Sequence, residues 1–183
     1  MTMIREHAAE WHVDPDAIAV IGFSAGGHLA ANLATSTSDD VLVAHGYDPD
    51  AVRPNGLMLA YPVITSGPLA HRGSFDSLLG ERRNDSQALE SVSIERHIDA
   101  KTPPVFAWHT VPDETVPYEN TLMLIDACKK AGVSIEAHLF PQGGHGLSLG
   151  TAETAWQGVN GIEPSIQIWP QLAVSWMRRT FAR

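Results

Sequence analysis

The run Ile21-Gly22-Phe23-Ser24-Ala25-Gly26-Gly27-His28 constrains this chain more than any other stretch. It follows the apolar segment Ala17-Ile18-Ala19-Val20 and precedes an alanine-rich one. A Gly-x-Ser-x-Gly pattern between a strand and a helix demands a tight reversal that presents the serine hydroxyl at the top of a sheet. Glycine at 22 and 26 is expected where a side chain would collide with the reversing backbone. Ala25 then opens a helix, and its backbone N–H is the candidate donor for a developing oxyanion. Ser24 is therefore a candidate nucleophile, with a chance Gly-rich turn as the bland alternative.

A serine hydroxyl is a weak nucleophile at neutral pH. A neutral imidazole must take its proton, and a carboxylate must orient that imidazole and stabilise its charged form. On a sheet of this kind the expected chain order is serine, acid, histidine. Asp113 follows an apolar strand in Val105-Phe106-Ala107-Trp108-His109-Thr110-Val111-Pro112-Asp113. His145 follows another strand in Phe140-Pro141-Gln142-Gly143-Gly144-His145-Gly146. All three residues fall on loops beyond the C-terminal ends of expected parallel strands, where open α/β sheets place their sites. Glu114 neighbours Asp113 as a rival acid.

The chain resembles an α/β-hydrolase of the carbohydrate-esterase and small-lipase branch, the acetyl-xylan-esterase-like enzymes. The resemblance is carried by Asp14-Pro15-Asp16-Ala17-Ile18-Ala19-Val20 leading into Gly22-Phe23-Ser24-Ala25-Gly26-Gly27-His28-Leu29. It continues through Leu59-Ala60-Tyr61-Pro62-Val63-Ile64, Gly73-Ser74-Phe75 with Leu78-Leu79-Gly80, the Asp113 loop and Gly144-His145-Gly146-Leu147. It implies that Ser24, Asp113 and His145 serve as nucleophile, acid and base, as the residues themselves suggest. It also implies a serine esterase acting on short acyl esters, such as acetyl on a sugar, with no cofactor. The pattern departs from the family at its start. Only 23 residues precede Ser24, and they contain no His-Gly-Gly motif, so half of the usual oxyanion hole has no evident source. The expected fold is thus α/β-hydrolase-like and N-terminally truncated: a mostly parallel sheet with flanking helices. A hydrolase-like chain that catalyses weakly and serves as a binding or structural subunit is the second reading. A prolyl-oligopeptidase-type peptidase is a weaker third, since Ala25 stands where that group carries an aromatic residue.

Composition narrows the partners. With 12 Lys and Arg and a net charge of −9, nucleic acid and anionic membrane are disfavoured; the partner that the resemblance implies is a small-molecule ester. A single cysteine, Cys128, permits no intrachain disulfide. Nine histidines invite a metal reading, yet no pair has ligand spacing, so no metal site is expected. The start of the chain lacks the apolar core of a signal peptide, and no run nears the ~20 apolar residues of a membrane helix. The default compartment is the cytoplasm. At 183 residues one domain, 1–183, is the expectation.

The coarse pattern alternates helices and strands, which implies a parallel sheet. Met1, Ile4, Ala8 and Trp11 mark an opening helix. Strands are expected at 17–22, 57–61, 105–110 and 134–140. The helix after Ser24 should run to about 37, with 38–54 a polar loop. Residues 62–103 read as an insertion with short helices, one near 87–91; His71, Arg72, Phe75 and Leu78 are candidates to wall a substrate pocket. Pro117 opens a helix with Leu124, Ile125, Cys128 and Ala131 inward, stopped by Gly132. A closing helix near 166–182 carries Trp169, Leu172, Ala173 and Trp176 on one face. His28 and His109 are expected in structural hydrogen bonds, His138 too deep in its strand to reach the site, and Trp156 in the core. The run 17–21 should lie at an open sheet edge without charge, proline or bulge to protect it, which favours a homodimer or higher homo-oligomer.

Overall fold

The computed structural model describes residues 1–35, 39–156 and 160–182. Its framework is a four-stranded parallel sheet in simple sequential order: β1 (Ala19–Phe23), β2 (Gly56–Ala60), β3 (Val105–Thr110) and β4 (Ile135–Phe140). Adjacent strands in parallel need crossovers, and the intervening segments supply them. The register sets Phe23 beside Ala60, Ala60 beside Trp108 and Trp108 beside His138. The C-terminal ends of all four strands therefore lie along one edge, and the loops leaving them converge.

Alternation along β2 and β3 builds two cores, one per face. Leu57, Leu59, Val105 and Ala107 face a layer made by α2 (Ala25–Thr35) and α7 (Glu119–Ala131), where Ala30, Ala31, Ala34, Leu124 and Cys128 pack. The three alanines let α2 sit close to the sheet. Ala60, Phe106 and Trp108 face α8 (Trp169–Thr180), which contributes Trp169, Ala173 and Trp176. Trp108 and Trp169 stack at 5.6 Å, a geometry that adds to plain area burial. Gly132 ends α7 in the left-handed conformation, with Lys129 and Lys130 in the last turn.

Several sequence expectations need correction. The opening helix, α1, covers only Thr2–Glu6; turns follow, and Trp11 is exposed and stacked on His7 rather than inward. The described part of the 38–54 segment, 39–54, is not a loop. It holds α3 (Asp39–Ala44) and α4 (Pro49–Val52), and α4 carries an Asp48 cap and a proline in its first turn, a start signal legible in the sequence. The expected end of α2 at 37 lies outside the described residues. Between β2 and β3 stand α5 (Arg72–Leu79) and α6 (Ser86–Ser91), the latter capped by Asp85. The closing helix is shorter than expected, with a separate turn of 3₁₀ helix at Pro164–Ile166 before it. Trp156 is 44% exposed and lies outside the core, and Leu139 is also exposed.

β1 stands at the sheet edge, unpaired on one side among the described residues. Its Ile21 is exposed, and Val20 through Phe23 border an apolar groove of about 580 Å³ shared with Leu29, Ala30 and Leu33 of α2. Among the described residues no helix is long and apolar enough to cross a membrane.

Candidate active site

Ser24 sits between β1 and α2 with φ at +54°, a left-handed conformation that is strained for a residue with a side chain. Its N–H donates to Ala60 O at 3.0 Å, and its carbonyl accepts from Gly27 N–H at 3.0 Å and Val63 N–H at 3.2 Å. The backbone is thus held on both sides while the side chain projects. The crowding that enforces glycine differs from expectation. A Cβ on Gly22 would lie 2.2 Å from Gly26 O, which no rotamer can relieve, and one on Gly27 would meet Pro62 Cβ at 2.9 Å. Gly26 itself has open space, so the second glycine of the motif is not a steric requirement here. Ala25 is the first residue of α2, and its N–H is one of the unpaired donors at a helix start.

The three residues singled out from the sequence meet in one hydrogen-bonded line. Ser24 Oγ lies 2.7 Å from His145 Nε2, and His145 Nδ1 lies 2.7 Å from Asp113 Oδ2. A carboxylate only accepts, so Nδ1 carries the proton and Nε2 presents its lone pair to the serine hydroxyl. Glu114 has no part in this line. Asp113 is sealed from solvent and richly partnered. Its Oδ1 accepts from Thr115 N–H and Val116 N–H, both at 2.9 Å. Burial by itself would raise its pKa. Hydrogen bonds from His109, His145 and the Val116 N–H outweigh that and hold the carboxyl well below the usual range.

His109 is one of the supports that sequence reasoning placed near the site in a structural role. It is fully buried at the end of β3, its Nε2–H donating to Val116 O at 2.9 Å and lying 3.3 Å from Asp113 Oδ2. Thr121 completes the arrangement at 2.8 Å from Nδ1. His138, by contrast, bonds Glu136 in β4 and stays away from the site. Tyr61 entered the sequence reading only as the end of an expected strand and part of a resembling segment, with no role of its own. Its ring stands edge-on to His145 at 5.0 Å, and its hydroxyl accepts from Ser148 N–H at 3.1 Å, tying down the loop that carries His145. It too has a positive φ, +38°. Only its place directly after a buried strand signalled a role. Asn120 was also missed: buried in α7, its Oδ1 accepts from Ile64 and Thr65 N–H and so fixes the chain leaving β2.

Beside Ala25 opens a cavity of about 390 Å³ between α2 and α5. Phe75 and Leu78 line it, as anticipated for a pocket wall; His71 and Arg72 do not, being bonded to Ser74 and Asp76 respectively. His28 and Leu29 form the opposite side. His28 makes the structural bond expected of it, donating from Nε2 to Val92 O at 2.7 Å.

This arrangement has relatives. Endo-1,4-beta-xylanase B of Butyrivibrio fibrisolvens is 34% identical over 157 residues, spanning 85% of this chain and 25% of that protein. The acetylxylan esterase of Xylanibacter ruminicola is 30% identical over 153 residues, spanning 81% of this chain and 30% of its own length. Among solved structures, an acetyl ester-xyloside bifunctional hydrolase from Caldicellulosiruptor lactoaceticus superposes with a TM-score of 0.79 at 36% identity, covering 97% of this chain and 62% of that one. A carboxylesterase from Lactobacillus plantarum gives 0.78 at 29% identity, with coverage of 97% and 64%. The chain thus spans between a quarter and a third of these curated relatives and somewhat under two thirds of these solved structures. The fold is that of the α/β-hydrolases, in part. The BD-FAE family model matches residues 1–127, well over half of the chain, and the chain belongs to the BD-FAE family.

Proposed function

We propose that this chain hydrolyses carboxylic esters through a serine acyl-enzyme. The observation that supports this reading is the continuous line Ser24–His145–Asp113, with both contacts at 2.7 Å. Ser24 Oγ attacks the ester carbonyl carbon while His145 Nε2 takes the hydroxyl proton. The negative charge on the carbonyl oxygen develops toward the Ala25 N–H. Asp113 holds the imidazole in the required tautomer and stabilises its cation. His145 returns the proton to the departing alcohol, leaving the acyl group on Ser24. Water, deprotonated by His145, then releases the acid. The substrates we infer are esters of short acyl groups, acetyl first, carried on sugars; the names of the relatives support this.

The test is turnover of nitrophenyl esters of increasing acyl length, with Ser24→Ala alongside. Acetyl and propionyl esters should be fastest. An active-site phosphonate should label Ser24 and no other serine. Labelling elsewhere, with Ser24→Ala still active, removes the reading.

We also propose that the chain self-associates as a dimer or higher oligomer through the unpaired edge of β1. Its row of backbone donors and acceptors, flanked by exposed Ile21 and the apolar groove, is a template for a second copy.

A further inference from the structure

The cavity beside Ala25 has a polar feature that the proton relay leaves unused. Its body is apolar: Phe75 is buried, Val92 half-buried, and the exposed Leu29 and Leu78 frame the opening. His28 is only 7% exposed and packs edge-on against Phe75 at 5.4 Å. Because Val92 O can only accept, Nε2 must carry the proton of that 2.7 Å bond. Burial lowers the pKa of His28, outweighing the Val92 bond and the charge of Glu95, so the ring is neutral at neutral pH. Nδ1 is then a bare lone pair. Among the described residues it has no hydrogen-bond partner, and it is not among the buried polar atoms sealed from solvent. His28 is one of the residues that line the cavity. The other polar side chains there are committed: Ser74 bonds His71, and Asn32 has a partner of its own.

An acceptor fixed in an apolar wall discriminates by what it leaves unpaired. A guest bearing a hydroxyl satisfies it; a guest with a methyl in the same place strands it. The size of the space decides which half of an ester goes there. A volume near 390 Å³ holds several waters' worth of guest at ~30 Å³ each, far more than an acetyl group needs. We propose that this cavity receives the alcohol half of the ester and that His28 Nδ1 accepts a hydrogen bond from a second hydroxyl on that alcohol. This rests on the ester-hydrolase reading above and sets a second substrate class beside the sugar esters: short-acyl monoesters of alcohols with a largely apolar carbon body and a further hydroxyl. His28 is thereby a specificity-determining residue.

Two measurements separate this from the parent reading. The first compares kcat/KM of the wild-type protein on 4-hydroxybutyl acetate and pentyl acetate, which differ only by a hydroxyl in place of a methyl. A second pair, 4-nitrophenyl 6-hydroxyhexanoate and heptanoate, moves the same change to the acyl half. We expect a preference of about tenfold or more for the hydroxyl in the first pair, none in the second, and loss of the preference in His28→Phe. The second measurement needs no catalysis. In Ser24→Ala protein labelled with ¹⁵N-histidine, 4-hydroxybutyl acetate should shift the Nδ1 resonance of His28, and pentyl acetate should not. This reading survives even if His28→Phe fails to fold. Hydrolysis of both acetates at equal rates with no shift overturns the inference and leaves the esterase intact. A preference in the acyl pair alone overturns the placement of the alcohol. A shift without hydrolysis keeps the pocket and removes the esterase reading; neither one removes both.

Discussion

β1 and β3 each lead into a loop that carries a residue of the candidate site, yet they are opposite kinds of strand. All six residues of β3 are buried, with neighbours on both sides and helices on both faces. Of the five residues of β1 only Gly22 is buried, and one side has no strand beside it among the described residues. Asp113 is held by bulk packing plus four surrounding donors. Ser24 is held by its own turn: the strained φ, the fit of Gly22 against Gly26, and bonds to Ala60, Gly27 and Val63. Precise placement of a reactive group does not require a buried strand beneath it; it requires a backbone whose alternatives are excluded locally.

The largest effects should come from the nucleophile and the base, and the exposed setting of β1 should not diminish the first of them. Ser24→Ala and His145→Ala are each expected to lower kcat on nitrophenyl acetate by roughly 10⁶-fold, because the relay acts as a unit. Asp113→Asn should cost less, ~10⁴-fold, through the wrong imidazole tautomer. If Ser24→Ala costs far less than His145→Ala, the exposed strand is not delivering a nucleophile.

Stability should show the opposite pattern. Phe106→Ala or Trp108→Ala in β3 should destabilise by about 3–5 kcal/mol in urea unfolding. Ile21→Ala in β1, exposed in the single chain, should stay within about 0.5 kcal/mol when unfolding is followed at a dilution that dissociates the assembly. An equal cost at both sites would mean that the β1 face is covered in solution. Ile21→Lys sharpens this further. It should shift the particle to a smaller mass in light scattering at low micromolar concentration, while Ile18 and Val20 are poorer places for the charge because Ile18 is buried and Val20 packs on the core. A mass unchanged by Ile21→Lys and by dilution removes the self-association proposal.

The smallest effects concern titration. Asp113 has its folded pKa depressed, so its contribution to stability is complete above the ordinary carboxylate value of ~3.9 and is lost as pH falls below that toward the folded value. Asp113→Asn should therefore lose stability at neutral pH and show a flatter acid limb in thermal melts below about pH 4. At the other end of the scale, burial pushes the Cys128 thiol up to about 11. A thiol reagent at pH 8 should leave the folded protein unmodified and react only on unfolding.

Much of this site was legible before any coordinates. Ser24, Asp113 and His145 each sit just past an apolar run, and strand ends in a parallel sheet converge on one edge whatever the details of packing. What was missed depended on partners distant in sequence. Nothing local shows that Tyr61 would meet His145 and Ser148, that Trp156 would remain outside the core, or that Gly26 would have room while Gly27 would press on Pro62. The helices within 38–54 were missed for a different reason: their start signal, Asp48-Pro49, was present but short and set in polar surroundings.

The sequence alone determined the local geometry: which segments reverse, which alternate, and which side chains are carried to strand ends, because these follow from steric limits on a few adjacent residues. Only the tertiary structure decided what those side chains meet. The protonation of His145 on Nδ1, the share of the Asp113 shift that His145 supplies and the bare nitrogen of His28 in its cavity arise between residues dozens of positions apart. Hydrogen bonds and desolvation act over a few ångströms of space, and separation along the chain does not encode that distance.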